Sequence, residues 1–405
     1  MIDLSQLKED FIKNNKNIED AKQGFIIRDE NISFHVMDAY SVEDHNDLNE
    51  KERFYLPFCS KEEIKNVQKL KNTEEYLLWL RLESIADSPR LTRVFRAKKQ
   101  NKNNWSLTKY YQKYNHLFNE YLNNISKGKK RKLKAMTSGF AFVKEANAMC
   151  LKTEFGNLVL ISEPLRYFLY YMNIVFFGHQ LDLRSEDISA SLAIAIRIML
   201  GNESFDFDLD PRGDLPQSIH SEIQMVTEQQ LLFIIGHEYS HHILGHLSDT
   251  YTNTIKSKDL FFSSYSKNNY KYYNYRYSHE YKADFFSIKN IKSEANIKSA
   301  ILNGAFHILI YFDIIDSLLQ TMALRPIASS THPKPLDRLY KLRKAFNNKL
   351  GYPKTELDNI INFSDLLKNK INKDWLSYNI DTLEMYGSIY LPSYKNKLLK
   401  DRIDY

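Results

Sequence analysis

The sequence predicts an α+β fold that is mainly helical, and three observations carry the expectation. From about 219 to 246, Ile223, Val226, Leu231, Ile234 and Ile235 recur at three- and four-residue spacings with no interrupting proline, the pattern of an amphipathic helix. Helical periodicity also runs from Glu62 to Phe95 and from about Leu107 to Ile125. Strand signals are short: Ile32, Phe34 and Val36 alternate with polar residues, and Asn157 to Ser162 is an apolar run set between Gly156 and Pro164.

Along the chain, Phe25 to Phe58 holds the alternating pieces, and the helical stretch after it is marked by Leu77, Leu78, Leu80 and Leu82. No chemistry is legible in either, and together they are expected to form an N-terminal α/β accessory region. After the aromatic-rich helical segment comes a basic run of Lys127, Lys129, Lys130, Arg131, Lys132 and Lys134. A run of like charges reads first as a solvated linker. It sets the expected boundary between an accessory or regulatory region at 1–134 and a second domain at 135–345. With aromatics upstream it is also a candidate contact for nucleic acid or an acidic protein surface, although specific nucleic-acid binding is not the expectation. Ser257 to Tyr277 is crowded with Tyr, Asn, Ser and Lys and has no clear period, so it is expected to be a mobile lid or a stretch of low order. A helix is expected to run through Phe346, after which Gly351 and Pro353 lead into a mixed C-terminal extension at 346–405.

The chemistry sits at the end of the long periodic helix, where residues 237–246 read HEYSHHILGH. A helix turns about 100° per residue, so His237 and His241 lie about 40° apart and one face offers two imidazoles to one metal. Two such nitrogens from one turn are half of a tetrahedral zinc site. Glu238 projects beside them, where its carboxylate can take a proton from a water acidified by the metal. Gly245 stands where the helix should stop. His242 points about 100° away from His241 and His246 falls beyond the glycine, so both are expected to be structural.

Some forty residues on, Glu280 and Asp284 stand four apart on one helical face. Glu280 would complete a His, His, Glu set with the fourth position left open, and Asp284 would accept the second ring N–H of a ligand histidine. An ordinary exposed acidic face is the competing reading of this pair. In the segment THPKPLDRL at 331–339, His332 and Arg338 compete with a reading as turn and surface residues beside two prolines. His307, inside the apolar run from Ala305 to Phe312, is expected to be a core histidine.

HExxH followed by ExxAD resembles the gluzincin metallopeptidases, in particular the HtpX and CAAX-prenyl-protease group, and THPKPLDRL is similar to the HPxxxxR segment that follows the third ligand there. The layout is also similar to the soluble, Lit-type phage-exclusion peptidases. The resemblance covers about residues 155 to 345. It implies a zincin-like metallopeptidase core with an active-site helix and a small β-sheet, Zn2+ as cofactor held by His237, His241 and Glu280, and a protein or peptide substrate. His332 and Arg338 would then face the substrate and stabilise the oxyanion of the tetrahedral intermediate. Asn157 to Ser162 would be an edge strand that takes substrate backbone by strand addition. The Lit-type likeness adds an anti-phage or toxin-like role, with an activating or inhibitory protein partner. A binding or scaffolding protein with a structural zinc is the alternative to an endopeptidase.

Composition bounds these readings. The chain has 405 residues, 43% of them hydrophobic, and a net charge of +6, enough material for a sizeable core. Cys59 and Cys150 are its two cysteines, too few for a disulfide framework, and no charged-then-apolar leader is evident, so a cytoplasmic setting is the expectation. The apolar stretches Leu165 to Phe177 and Ala305 to Leu319 are short or carry Asp313 and Asp316, so no membrane span is expected. That departs from the membrane-embedded HtpX and prenyl proteases.

Overall fold

Polar side chains at the helix starts divide the N-terminal half of the chain. In this computed structural model the described residues are 13–14, 17–20, 25–29, 32–36, and all of 46–393 except 101–104, 144, 209, 214, 247–251, 257–268, 274–276, 323–331, 347–348 and 385–386. Strands β1 (Ile18–Asp20), β2 (Phe25–Asp29) and β3 (Ile32–Val36) form an antiparallel sheet in that order. The alternation at Ile32, Phe34 and Val36 is a real strand. Helices α1 (Glu50–Arg53), α2 (Lys61–Gln68), α3 (Thr73–Ala86), α4 (Pro89–Gln100), α5 (Leu107–Tyr111), α6 (Asn115–Asn123) and α7 (Lys127–Lys134) follow. Asn49, Ser60, Asn72 and Ser106 open α1, α2, α3 and α5, each accepting a backbone N–H of the first turn on its side chain.

A five-stranded sheet lies beneath these helices. Its members are β4 (Thr137–Ala141), β5 (Ala148–Thr153), β6 (Gly156–Ser162), β7 (Thr252–Lys256) and β8 (Asn269–Tyr273), in the order β4-β6-β5-β8-β7. Strand β6 is parallel to β4 and antiparallel to β5. This overturns the expectation of an edge strand at Asn157 to Ser162: both of its edges are hydrogen-bonded within the sheet, so it has none to offer a substrate backbone. Its unbroken apolar run reflects burial on both faces. Leu158 and Leu160 pack with Leu77 and Leu80 of α3, whereas Val159 and Ile161 join the main core on the other side.

The remaining helices build that core. They are α8 (Glu163–Phe177), α9 (Ser185–Leu200), α10 (Gln217–Ile243), α11 (Tyr277–Lys289), α12 (Ala295–Thr321), α13 (Pro335–Ala345), α14 (Lys354–Lys370) and α15 (Leu376–Glu384). One continuous apolar cluster extends from Leu48 to Leu391. The architecture is thus mainly helical α+β with a small sheet, as expected. Helix α10 lies at its centre, packed on α8, α11 and α12. Gly304 of α12 permits a close approach to α10, since a Cβ there would stand 3.0 Å from the backbone nitrogen of Gln230. In the same layer Asn173 donates to Thr227 and Gln230 at 2.9 Å, and the buried Tyr311 hydroxyl donates to Asn173 at 2.8 Å. This closed polar knot fixes the rotation of α10 two turns before His237, because a buried amide left without partners is costly.

Several local expectations change. The basic run is helix α7, anchored by the fully buried Leu133, and is not a linker. Residues 269–273 of the aperiodic stretch form β8, while 257–268 and 274–276 lie outside the described residues. Among the described residues, the C-terminal extension contains α14 and α15, joined through a π-helical segment at Ile371–Trp375. Helix α12 extends beyond the apolar stretch read from the sequence and is long and apolar enough to cross a membrane; 72% of its apolar window is buried inside the protein, which is how a core helix passes the same length test. His307 on it is buried, and its Nε2 is 2.9 Å from the Tyr352 hydroxyl.

Candidate active site

Helix α10 ends in a way that shapes the site. Leu244 caps it, and Gly245 turns left-handed at φ +70°. The Gly245 N–H then donates to His242 O at 3.1 Å and the His246 N–H to His241 O at 3.0 Å, the paired bonds of a Schellman end. The reversal brings His246 back beneath the helix, with its Nδ1 3.0 Å from Nδ1 of His241. One turn earlier, Gly236 leaves room for the ring of Tyr121: a Cβ there would meet that ring at 2.5 Å. The Tyr121 hydroxyl donates to Ser287 O on α11 at 2.8 Å, which draws α10 and α11 together.

Between these two helices the expected ligands converge. His237 Nε2 and His241 Nε2 are 3.0 Å apart, and the Glu280 carboxylate lies 3.6 Å from the first and 3.5 Å from the second. All three residues are buried. Zinc bound at about 2.0–2.1 Å needs tetrahedral ligand atoms about 3.3 Å from one another, and the three distances bracket that value. Glu280 Oε1 is buried without a hydrogen-bond partner, an orphaned acceptor that a cation would satisfy. The donor set therefore fits zinc, with three protein ligands as in catalytic rather than closed structural sites.

Supporting groups surround the ligands. His237 donates from Nδ1 to Asp284 Oδ1 at 2.9 Å, leaving Nε2 as the ligand atom. Asp284 is in turn gripped by Arg338, from Nε to Oδ2 at 2.8 Å and from Nη2 to Oδ1 at 2.6 Å. Arg338 Nη1 also lies 3.4 Å from Glu280 Oε2. His332 reaches the same Oε2 with Nδ1 at 2.9 Å from the solvent side, its side chain 46% exposed. All seven expected residues are thus in one place. Arg338, its side chain 11% exposed, is turned onto Asp284 and Glu280. The competing exposed reading of Glu280 and Asp284 fails because both are buried.

These partners set the charges. Burial pushes the Glu238 carboxyl up to about 7, partly offset by His237. Burial also opposes ionisation of Glu280, but the His332 hydrogen bond and the Arg338 charge hold it well below the usual carboxylate range. Asp284 is likewise held low, by Arg338 and then His237 against its own burial. His237 is carried above the ordinary histidine value because the Asp284 hydrogen bond and the charges of Glu280 and Asp284 outweigh burial, whereas burial and then His237 push His241 well down. Glu238 itself is buried beside the ligand pair, and its Oε2 has no hydrogen-bond partner.

The sequence did not give His246 its place, nor the ring of His279 stacked on it with centroids 4.0 Å apart. A histidine directly after a helix-ending glycine was the available signal. No curated protein and no solved structure matches the chain. Residues 220–346 match the model of Peptidase family M48, a family of zinc metallopeptidases of the gluzincin type, and the whole of the site just described lies within that matched segment.

Proposed function

We propose that this protein is an endopeptidase of gluzincin type, cutting peptide bonds inside protein substrates. The observation that carries the reading is the buried Glu238 carboxylate, with Oε2 unpartnered, beside a convergent set of three ligands whose supporting groups are all in place. Zinc, when bound there, supplies Lewis acidity and lowers the pKa of water. The chain's own residues do the rest. His237 and His241 present Nε2 because Asp284 and His246 occupy their other nitrogens. Arg338 keeps Asp284 ionised and aimed, so that a ligand histidine stays in one tautomer. Glu238 takes a proton from the attacking water and returns it to the leaving amine, a role open to a buried carboxylate beside the ligand pair with one oxygen unpartnered. His332, on the solvent side of Glu280, is the residue placed to meet charge developing on a substrate carbonyl oxygen.

A defence or toxin-like role, with a partner that restrains or triggers the enzyme, draws on the Lit-type layout of the motif helices. A reducing, cytoplasmic setting draws on Cys59 and Cys150 being free and buried. A survey of new protein N-termini in cells expressing the wild type or Glu238→Gln, with and without phage challenge, tests the reading. New termini restricted to the wild type support it and name the substrate. Identical termini in both would sink it, and termini that do not depend on phage would remove the defence role.

A further inference from the structure

Helix α7 gathers cations that the site does not use. It is eight residues long, about 12 Å at 1.5 Å per residue, and Leu133 is its buried residue. Its neighbour across the surface is the end of α11, joined by an Ile125–Ile291 bridge and by Lys292 N–H donating to Asn124 O at 2.6 Å. Lys289 and Lys292 therefore extend the positive surface of α7, with Lys298 beyond them. Where these ammonium groups have partners, the partners are neutral: Lys129 donates to Asn290, Lys130 to Asn123 and Lys298 to Ile291 O. Among the described residues none of these cations lies within ion-pair distance of a carboxylate. The exposed acids nearest in sequence, Glu120 and Glu294, pair with none of them, and Glu280 and Asp284 of α11 are buried in the site with partners there. Lys129 and Lys298 are held below the usual lysine value by burial and then by Lys292, as expected where like charges crowd without counterions.

The surroundings narrow the partner. Aromatic residues upstream of the basic run would favour nucleic acid if their rings could stack on bases, but Tyr111, Tyr114, Phe118 and Tyr121 are all buried in the core. A membrane surface would call for apolar anchors beside the charge. Among the described residues Ile297, on the first turn of α12 beside Lys298, is an exposed large hydrophobic residue at this border. What remains is dense positive charge against the flank of the motif helix, and the nearby rings of Phe285, Phe286 and Phe346 lie under the Lys289 and Lys298 ammonium groups. Helix α7 packs directly against α10, the helix that carries His237 and His241.

We propose that α7, with Lys289 and Lys292, is a docking surface for an acidic protein segment carried by the substrate. That the partner is a substrate rests on the peptidase reading; that it is an acidic polypeptide does not. The binding test uses full-length Glu238→Gln protein and a fluorescein-labelled deca-glutamate peptide, followed by anisotropy, with deca-glutamine, decauridylate and phosphatidylserine vesicles as the other probes. The expected result is binding of deca-glutamate that fades as the screening length falls from about 10 Å at 0.1 M salt to about 3 Å at 1 M. Affinity should drop about tenfold in K127Q/R131Q/K132Q, from fractions of a kcal/mol per exposed charge, and should also weaken in K289Q/K292Q. Unchanged binding in both variants overturns the proposal. So does tighter binding of decauridylate or vesicles through the same residues, which would assign the surface to nucleic acid or lipid. In the Glu238 enzyme, a deca-glutamate tail on a cleavable reporter should lower KM without changing kcat, and K127Q/R131Q/K132Q should erase that advantage. Failure to cleave either reporter would count against the peptidase reading alone, because the binding measurement needs no turnover.

Discussion

Arg338 holds Asp284 through two parallel hydrogen bonds, Nε to Oδ2 at 2.8 Å and Nη2 to Oδ1 at 2.6 Å, and the same Oδ1 accepts His237 Nδ1–H at 2.9 Å. A ligand histidine is thus oriented by a carboxylate that is itself oriented by an arginine 54 residues further along the chain. Asp284→Asn keeps the shape but removes the charge, and should weaken zinc binding about 10- to 100-fold. Competition with a chromophoric chelator measures this; wild-type affinity in the variant would deny Asp284 its role.

Removing the other half of the pair has a different cost. Arg338→Ala leaves Asp284 and Glu280 buried and negative without their compensating cation, and breaking such a pair from one side costs about 3–5 kcal/mol. Urea unfolding of the metal-free protein should register a loss of that order. A loss under about 1 kcal/mol would show that solvent reaches these carboxylates.

Gly236 makes a steric prediction. Gly236→Ala places a methyl group against the buried ring of Tyr121, which is tethered by its hydroxyl to Ser287, so overpacking should cost about 1–3 kcal/mol. Adding Tyr121→Phe should recover part of the loss, because the ring then gains freedom to retreat. Additive losses in the double variant would contradict the account.

His307 gives a pH dependence away from the metal. Burial pushes it down to about 4, against about 6.5 in the unfolded chain. Its folded value is the depressed one, so the unfolded state takes up the proton first as pH falls. Its contribution to stability is fully present above pH 6.5 and is lost progressively between about pH 6.5 and 4, to a total of about 3 kcal/mol. His307→Phe should flatten this part of the stability curve, read as the difference from wild type in urea midpoints at pH 7.5 and pH 5. An unchanged difference across that interval would contradict it.

The site was legible because its chemistry is carried by local spacing. His237, Glu238 and His241 share one turn, and Glu280 and Asp284 share another, so each pair could be placed on a face before the fold was known. Sheet order has no such local signal: the run Leu158 to Ile161 reads alike in an edge or a central strand, and only the pairing of β6 with both β4 and β5 decides. Charge misled at α7, where one buried leucine turns an apparent linker into a packed helix. The partners of Arg338 carry no such local signal, because a guanidinium's target depends on which carboxylates the fold brings near. His246 required the left-handed turn at Gly245.

The most direct test joins metal content to turnover. Wild type and Glu238→Gln would be purified in parallel, zinc counted by mass spectrometry, and cleavage of a protein substrate followed from the same preparations. The account predicts equal zinc in both and cleavage by the wild type alone. Cleavage by Glu238→Gln at the wild-type rate, with zinc in place, would contradict it.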